Sequence, residues 1–293
     1  MNYRHAFHAG SFADVFKHAV LCRILHYLRE KPAAFRVVDT HAGVGIYDLN
    51  GPEASRGGEW NDGIGRLRKA VAAGQLPDKC VVLLAPYLDA IGALNERDKL
   101  TLYPGSPALT RAWLRGDDRL VACELEPRAY TALARHLRGD SRIKTIELDG
   151  WTALSAHVPP PERRGLVLVD PPFEEDADFH RLSHHLGLAH RKWATGIYAL
   201  WYPIKGRGEA DALAKRLSRL GIAKILRAEL IVSPVSDPAR LNGSGLILLN
   251  PPWTLQSELS TLLPVLANML ERQPGSGGFK LDWLAGEQVR QAR

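Results

Sequence analysis

Short runs of aliphatic residues recur along the chain, each ending in a polar or glycine-containing segment, and this pattern predicts β-strands. Between most of these runs, apolar residues recur at helical spacing, as in residues 127–139 and 208–221. A strand followed by a helix, repeated several times, is typical of a mostly parallel sheet covered by helices on both faces. The seven predicted strands are residues 35–39, 119–125, 143–148, 165–170, 196–202, 225–232 and 245–250.

The connection between the last two predicted strands contains no helical pattern. Residues 233–244 are rich in the turn-forming residues Ser, Pro, Asp, Asn and Gly. Strands joined by such a loop are usually antiparallel. A mostly parallel sheet that ends in an antiparallel hairpin is typical of class I methyltransferases, so we predict a seven-stranded, Rossmann-like α/β fold of that class. The tail after about Glu271 contains Pro-Gly-Ser-Gly-Gly and is expected to be irregular.

The connection between the first two predicted strands is much longer than the others. Far more residues separate Asp39 from Glu124 than the roughly 20 that a doubly wound fold needs. Two helix-like segments lie within residues 51–104. We therefore predict a small inserted helical subdomain at 51–104, within a methyltransferase domain formed by residues 1–50 and 105–293.

The composition restricts the class of protein. Hydrophobic residues make up 45% of the chain, and no apolar run has the length of a signal peptide or a membrane span. We therefore expect a soluble, cytoplasmic protein with no membrane partner. We also expect a monomer. The three cysteines form no Cys-x-x-Cys pair, which argues against a zinc site or a disulfide framework. The net charge of +6 mildly favours a polyanionic partner such as nucleic acid.

The segment after the first strand has the form of a ligand-binding loop. The strand ends at Asp39, and the sequence Ala-Gly-Val-Gly then places Gly43 and Gly45 in a tight turn. Glycine lets the backbone bend sharply and approach a ligand closely. Any tight strand-to-helix turn could use the same residues, so this loop alone leaves both interpretations open. His41, inside the loop, either contacts the ligand or caps the local turn.

Three successive strands end in acidic residues, namely Asp39, Glu124 and Asp149, and Gly150 follows the last of them. The carboxyl ends of parallel strands lie at one edge of a sheet, where ligands bind. Glu124 could accept hydrogen bonds from the ribose hydroxyls of a nucleoside, and Asp149 could accept from an adenine amino group. The three acids together predict a site for a positively charged nucleoside.

The next strand ends in Asp170-Pro171-Pro172-Phe173. An amino group on an aromatic ring is a poor nucleophile, and oxygen acceptors on both of its hydrogens can free its lone pair. Asp170 offers one acceptor and the carbonyl of Pro171 the other, on a backbone that proline keeps rigid. Phe173 could stack on the ring of an unstacked base. The alternative is a strand stop whose aspartate caps a turn, which is how we interpret the similar run 250–253.

The predicted N-terminal arm, residues 1–30, combines aromatic and basic residues. Tyr3 could stack on a base, Lys17 could hold a phosphate, and His5 lies between them in the sequence. The alternative is that the histidines pack in the interior or face solvent. No metal site is predicted, because no acid or thiol completes a ligand set at suitable spacing.

The chain resembles the bacterial 23S ribosomal RNA adenine-N6 methyltransferases of the ribosomal large subunit methyltransferase J family. The resemblance covers nearly the whole sequence. It rests on YRHAFHAGSFADVFKH at 3–18, DTHAGVG at 39–45, PGSP at 104–107, RRGLVLVDPPFE at 163–174, ATGIYALWYP at 194–203 and SGLILLNPPW at 244–253.

The resemblance implies methyl transfer from S-adenosylmethionine to one adenine of 23S ribosomal RNA. It implies that Asp170 is the catalytic acceptor and that Tyr3 touches the RNA or gates the pocket. Phe173 stands where the family often has Tyr, which keeps stacking but removes a phenol hydrogen bond. Including the residues proposed from the sequence itself, the expected cofactor contacts are His18, His41, Gly43, Ser106, Glu124, Asp149, Gly150 and Asp170.

Two other functions stay open on the sequence alone. A DNA adenine-N6 methyltransferase could use the same pocket, although no helix-turn-helix or large recognition domain is visible in the sequence. A non-catalytic RNA-binding ribosome assembly factor could keep the fold without the chemistry. The intact acid series and the Asp-Pro-Pro-Phe run argue against this second alternative.

Overall fold

The computed structural model describes residues 4–96, 99–175 and 177–287. The strands are β1 (Arg36–Asp39), β2 (Ile46–Asp48), β3 (Leu102–Pro104), β4 (Arg119–Glu124), β5 (Ile143–Glu147), β6 (Gly165–Val169), β7 (Ile197–Ile204), β8 (Ile225–Ile231), β9 (Gly243–Leu249) and β10 (Gly278–Ala285). The helices are α1 (Phe12–Arg29), α2 (Pro52–Gly57), α3 (Arg66–Ala72), α4 (Asp78–Gly92), α5 (Ser106–Trp113), α6 (Pro127–His136), α7 (Gly150–Ala156), α8 (Asp178–Lys192), α9 (Arg207–Ser218) and α10 (Leu255–Leu270). A 3₁₀ turn (His5–Phe7) precedes α1, and a π-helical turn (Asn61–Gly65) precedes α3.

The main sheet has the strand order β10-β8-β9-β7-β6-β1-β4-β5. The five strands from β7 to β5 are parallel to one another, whereas β9 is antiparallel to both β7 and β8. The mostly parallel sheet with an antiparallel hairpin is therefore confirmed, and all seven predicted strands are present. Over the described residues the sheet has eight strands rather than the predicted seven.

The eighth strand, β10, corrects the prediction that the tail is irregular. It pairs antiparallel with β8 along the edge of the sheet. The Arg227 guanidinium binds both carboxylate oxygens of Asp282 at 2.8 and 2.7 Å, which joins the two strands through their side chains as well. The Pro-Gly-Ser-Gly-Gly run is thus the turn that returns the chain from α10 to the sheet. The sequence pattern of a single strand does not show with which distant strand it will pair.

Helices cover both faces of the sheet. On one face α1, α5, α6 and α10 pack over β1, β4, β8 and β9. On the other face α7, α8 and α9 pack over β4, β6 and β7. Helix α1 is buried almost all round, including its polar residues Asp14, Lys17 and His18. A helix surrounded in this way needs a second layer outside it, which α4 supplies.

The segment predicted as an insertion leaves and rejoins the sheet domain through a short two-stranded ladder. Strand β2 pairs antiparallel with β3, so the two ends of residues 51–104 lie side by side. Helices α2, α3 and α4 lie within that segment, and α4 places the buried Tyr87 and Leu84 in the core that α1 shares. The inserted residues therefore contribute to the same hydrophobic core as the sheet.

The order of the strands determines where a ligand can bind. From β1 the chain moves to β4 and β5 on one side, and then returns to β6 and β7 on the other. A crevice opens where the direction changes, at the carboxyl ends of β1 and β6.

Among the described residues, none of the helices is both long and apolar enough to cross a membrane.

Candidate active site

A cavity of about 750 Å³ lies at the carboxyl ends of β1, β4 and β6. It brings together almost all of the site residues expected from the sequence. Those that line it are His5, Lys17, His18, His41, Gly43, Ser106, Glu124, Asp149, Gly150, Asp170 and Pro171. Phe173 does not line this cavity, and Tyr3 lies outside the described residues. Asp170 and the Gly43 turn therefore share one crevice, as the predicted fold requires.

The turn after β1 is shaped by glycine. Gly43 has φ of +62°, and a Cβ atom there would lie 2.3 Å from the Tyr47 hydroxyl. The Gly43 N–H donates to Glu124 Oε2 at 2.9 Å, and the Glu126 N–H donates to Glu124 Oε1 at 2.9 Å. Glu124 thus holds the backbone of the turn while its carboxylate lines the cavity.

His41 lines the cavity and also makes a local contact within its own turn. Its Nδ1 lies 2.8 Å from Thr40 Oγ1, whose single proton is donated to the Leu168 carbonyl at 3.0 Å. The Thr40 hydroxyl must therefore accept from His41, so Nδ1 carries the proton and Nε2 is an acceptor. Burial lowers the pKa of His41 to about 4, which keeps this ring neutral at physiological pH.

The start of α7 forms the next wall of the cavity. Asp149 caps this helix, with Oδ2 accepting from the Thr152 N–H at 2.8 Å and from the Thr152 hydroxyl at 2.9 Å. A Cβ atom on Gly150 would lie 2.4 Å from the His41 ring and 2.6 Å from the Thr40 carbonyl oxygen. Only glycine fits between α7 and the β1 turn without displacing backbone.

His18 enters the cavity from α1 and is held from behind by two tyrosines. Its Nδ1 lies 2.7 Å from the Tyr103 hydroxyl, which in turn lies 2.9 Å from the Tyr87 hydroxyl. All three side chains are buried, and burial lowers the pKa of His18 to about 3. Ser106 also lines this wall, at the first position of α5, which Gly105 caps.

The third predicted acid, Asp39, does not border the cavity. It is fully buried behind the β1 turn. Neither carboxylate oxygen meets the geometry of a hydrogen bond with a described residue. Burial raises the pKa of Asp39 to about 7, although the nearby Ser106 hydroxyl and Lys17 ammonium offset part of the rise. Two of the three predicted acids, Glu124 and Asp149, therefore face the cavity, and the third is internal.

Asp170 lies at the tip of β6, beside a buried cation. Its Oδ2 accepts from the Lys17 ammonium, which also contacts Asp14 Oδ1 at 3.1 Å. Burial lowers the pKa of Lys17, but the carboxylates of Asp170 and Asp14 outweigh this effect and raise it. Lys17 is therefore charged, and it lies inside the site rather than on the surface.

A second cavity, of about 690 Å³, adjoins the first at the Asp-Pro-Pro-Phe corner. Phe173 and Trp201 line it, with ring centroids 5.7 Å apart in an edge-to-face arrangement. Phe173 has φ of +50°, a conformation that turns the chain sharply after the two prolines. The two cavities share His5, Lys17, Asp170, Pro172 and Glu174. Asp170 thus borders a polar cavity on one side and an aromatic one on the other.

Several residues of the site gave no signal in the sequence. Asp14, Tyr103 and Trp201 contact distant segments, and the sequence pattern gave no reason to select them.

The run 250–253 follows β9, which is antiparallel to β7, so it lies at the opposite edge of the sheet from the cavities. In the part of the chain that the structure describes, no cluster of His, Cys, Asp and Glu could hold a metal ion.

The arrangement can bind an elongated, positively charged ligand beside a flat ring. The lining of the first cavity includes the neutral imidazoles of His18 and His41 and the carboxylates of Glu124, Asp149 and Asp170. Gly43 and Gly150 leave space that a Cβ atom would fill. Aromatic side chains line the second cavity. Reacting groups placed in the two cavities would meet at Asp170.

A family model and two relatives indicate the same family. A family model described as "Ribosomal RNA large subunit methyltransferase D, RlmJ" matches residues 32–285. "Ribosomal RNA large subunit methyltransferase J" of Escherichia coli (strain K12) is 39% identical over 98% of this chain and 100% of its own length. The protein of that name from Haemophilus influenzae is also 39% identical, over 98% and 100%. A solved structure from Legionella pneumophila has a TM-score of 0.85 at 33% identity, covering 94% of this chain and 98% of that one.

Proposed function

Because the chain belongs to the RlmJ family of ribosomal RNA large subunit methyltransferases, we propose that it transfers a methyl group from S-adenosylmethionine to the N6 amine of one adenine in 23S ribosomal RNA. The observation that carries the proposal is the position of Asp170, which borders both the polar cavity and the aromatic one. A methyl donor and a methyl acceptor must meet at such a point.

The first cavity fits S-adenosylmethionine by the chemistry of its lining. Glu124, Asp149 and Asp170 give it negative character, which suits a sulfonium cation. The neutral His18 and His41 can exchange hydrogen bonds with polar groups without adding positive charge. When bound, S-adenosylmethionine supplies an electrophilic methyl group, so the residues of the protein need only bind, orient and polarise.

The Asp-Pro-Pro-Phe corner prepares the amine that attacks. The carboxylate of Asp170 accepts from one amino hydrogen and the carbonyl of Pro171 from the other. This draws the amine out of conjugation with its ring and frees the lone pair. Proline keeps both acceptors in place before the substrate arrives, and pre-organised acceptors of this kind commonly contribute large factors to the rate. Asp170 can take the proton that the methylated amine releases.

The second cavity is the place for the adenine. The rings of Phe173 and Trp201 offer apolar contact to a base, and Phe173 is fixed against Phe179 at a centroid distance of 4.8 Å. The base must leave its stack in the RNA to enter, and contact with aromatic side chains offsets part of that cost.

The test uses purified protein with radiolabelled S-adenosylmethionine and three acceptors: transcribed 23S ribosomal RNA, isolated large ribosomal subunits and adenine-containing duplex DNA. We expect label in RNA, recovered as N6-methyladenosine after digestion to nucleosides. Label in DNA but not in RNA would instead support a DNA adenine methyltransferase. Tight RNA binding without label in any acceptor would support a non-catalytic assembly factor.

A further inference from the structure

We infer that Asp14 is a positioning residue of this site: it shares the Lys17 ammonium with Asp170 and ties the N-terminal turn to the reaction centre. The inference rests on the proposed function, because it assigns Asp14 a role in that same methyl transfer. Asp14 lines the second cavity but not the first. It therefore acts on the acceptor side of the site.

The carboxylate of Asp14 makes three polar contacts near the Asp-Pro-Pro-Phe corner. Its side chain is 1% exposed. Oδ2 accepts from the Gly10 N–H at 2.9 Å and contacts His5 Nε2 at 3.0 Å, while Oδ1 contacts Lys17 Nζ at 3.1 Å. Since Lys17 also binds Asp170, a continuous polar chain runs from His5 through Asp14 and Lys17 to Asp170.

The charges along these polar contacts explain why Lys17 needs a second carboxylate besides Asp170. If Asp170 were the only counter-ion of the buried Lys17, the ammonium would be drawn more strongly to Oδ2 of Asp170 and would compete with the substrate amine for that oxygen. Asp14 supplies a competing anion, so Lys17 is shared and Asp170 keeps acceptor capacity. Burial raises the pKa of Asp14, but the interactions with His5 and Lys17 outweigh it and hold the pKa well below its ordinary value. Asp14 is therefore ionised at neutral pH.

A purely structural role for Asp14 is the alternative. Asp14 lies in the first turn of α1, where a carboxylate that accepts a backbone N–H stabilises the helix start. Asp118 provides a matched comparison at the opposite edge of the sheet. Its side chain is 0% exposed, it accepts from the Phe35 N–H at 3.0 Å, and it pairs with Arg115 at 2.8 Å. Both residues are buried, paired and bonded to backbone, but only Asp14 borders a cavity of the site.

The experiment compares Asp14→Asn, Asp14→Glu and Asp118→Asn with the wild type. For Asp14→Asn we expect kcat on RNA to fall about 10- to 100-fold, because misplaced reacting groups commonly cause losses of this size. The dissociation constant for S-adenosylmethionine should stay within about twofold of the wild-type value. Asp14→Glu keeps the negative charge but displaces it, so its kcat should lie between that of Asp14→Asn and that of the wild type. Asp118→Asn should lower the melting temperature and leave the kcat of the folded enzyme unchanged.

A second readout does not depend on turnover. The Lys17 ammonium, held by two carboxylates, should give a slowly exchanging NH₃⁺ signal in nitrogen-15 NMR, and Asp14→Asn should shift or broaden it. An unchanged signal, or an unchanged kcat, would overturn the inference, as would equal losses of kcat in Asp14→Asn and Asp118→Asn. If Asp14→Asn does not fold, Asp14→Glu decides, and a wild-type kcat in that variant overturns the inference. A wild type that shows the signal but methylates no RNA contradicts the proposed function instead.

Discussion

His18 of α1 and Tyr103 of β3 share a buried hydrogen bond of 2.7 Å, although nearly the whole inserted segment lies between them in the sequence. Tyr87, from α4 of that segment, extends the bond to a second hydroxyl. The imidazole that faces the first cavity is therefore oriented by residues of the segment 51–104. The hydrogen-bond partner of one imidazole nitrogen determines whether the other nitrogen donates or accepts a hydrogen bond to a ligand.

Replacing Tyr103 by Phe should weaken cofactor binding. The change removes only the hydroxyl that orients His18, so we expect the affinity for S-adenosylhomocysteine, measured by calorimetry, to fall about 5- to 20-fold, which corresponds to the net contribution of roughly one to two hydrogen bonds. Tyr87→Phe is the matched control, because it removes a hydroxyl that does not touch His18, and its effect should be smaller. Equal affinities in Tyr103→Phe and the wild type would show that His18 needs no such partner.

Replacing Asp170 by Asn should separate chemistry from binding. The amide keeps the shape of the side chain beside Lys17, which retains Asp14 as its counter-ion. We expect methylation of RNA to fall at least about 100-fold, as is common when a group that stabilises the transition state is lost. Cofactor affinity should stay within a few-fold of wild type. Turnover near the wild-type rate would exclude Asp170 as the acceptor of the amine.

Replacing Gly150 by Ala should narrow the first cavity, where we propose that S-adenosylmethionine binds. The added Cβ would lie 2.4 Å from the His41 ring and 2.6 Å from the Thr40 carbonyl, and the second of these atoms belongs to the backbone. We therefore expect cofactor affinity to fall about 10-fold or more, since overpacking forces neighbouring groups to move. Gly206→Ala is the control, because nothing lies within 4 Å of its added Cβ. If both variants bind the cofactor equally well, the close approach of α7 to the β1 turn is not required.

The buried Asp39 should make stability depend on pH. Burial raises its pKa to about 7 in the folded state, against about 4 in an unfolded chain. The folded state therefore holds the proton more tightly, and the contribution to stability is complete below about pH 4 and is lost as the pH rises through 7.

Urea denaturation of the wild type and Asp39→Asn at several pH values measures this effect. Between pH 4.5 and 8 we expect the free energy of unfolding of the wild type to fall relative to that of Asp39→Asn, by at most about 4 kcal/mol. A constant difference across this range would mean that Asp39 is ionised at every pH tested. A difference of opposite sign would mean that a buried partner stabilises the carboxylate.

Local patterns in the amino-acid sequence were enough to predict most of the sheet and the edge at which the site lies. Strand positions follow from runs of apolar residues, and the carboxyl ends of parallel strands necessarily share one edge. For this reason the sequence alone places Gly43, Glu124, Asp149 and Asp170 at a common crevice. The rigid backbone of the Asp-Pro-Pro-Phe corner also follows from its residues alone, since proline restricts the backbone wherever it occurs.

The meeting of distant residues depended instead on the packing of the folded chain. The pairing of β10 with β8, the burial of Asp39 behind the turn and the bond between His18 and Tyr103 all join segments far apart in the chain. In the sequence Asp14 is an ordinary acid near a helix start, and its contact with Lys17 becomes meaningful only when β6 brings Asp170 to the other side. Local patterns carry no information about such contacts, because they arise from how whole helices and strands fill the space around the sheet.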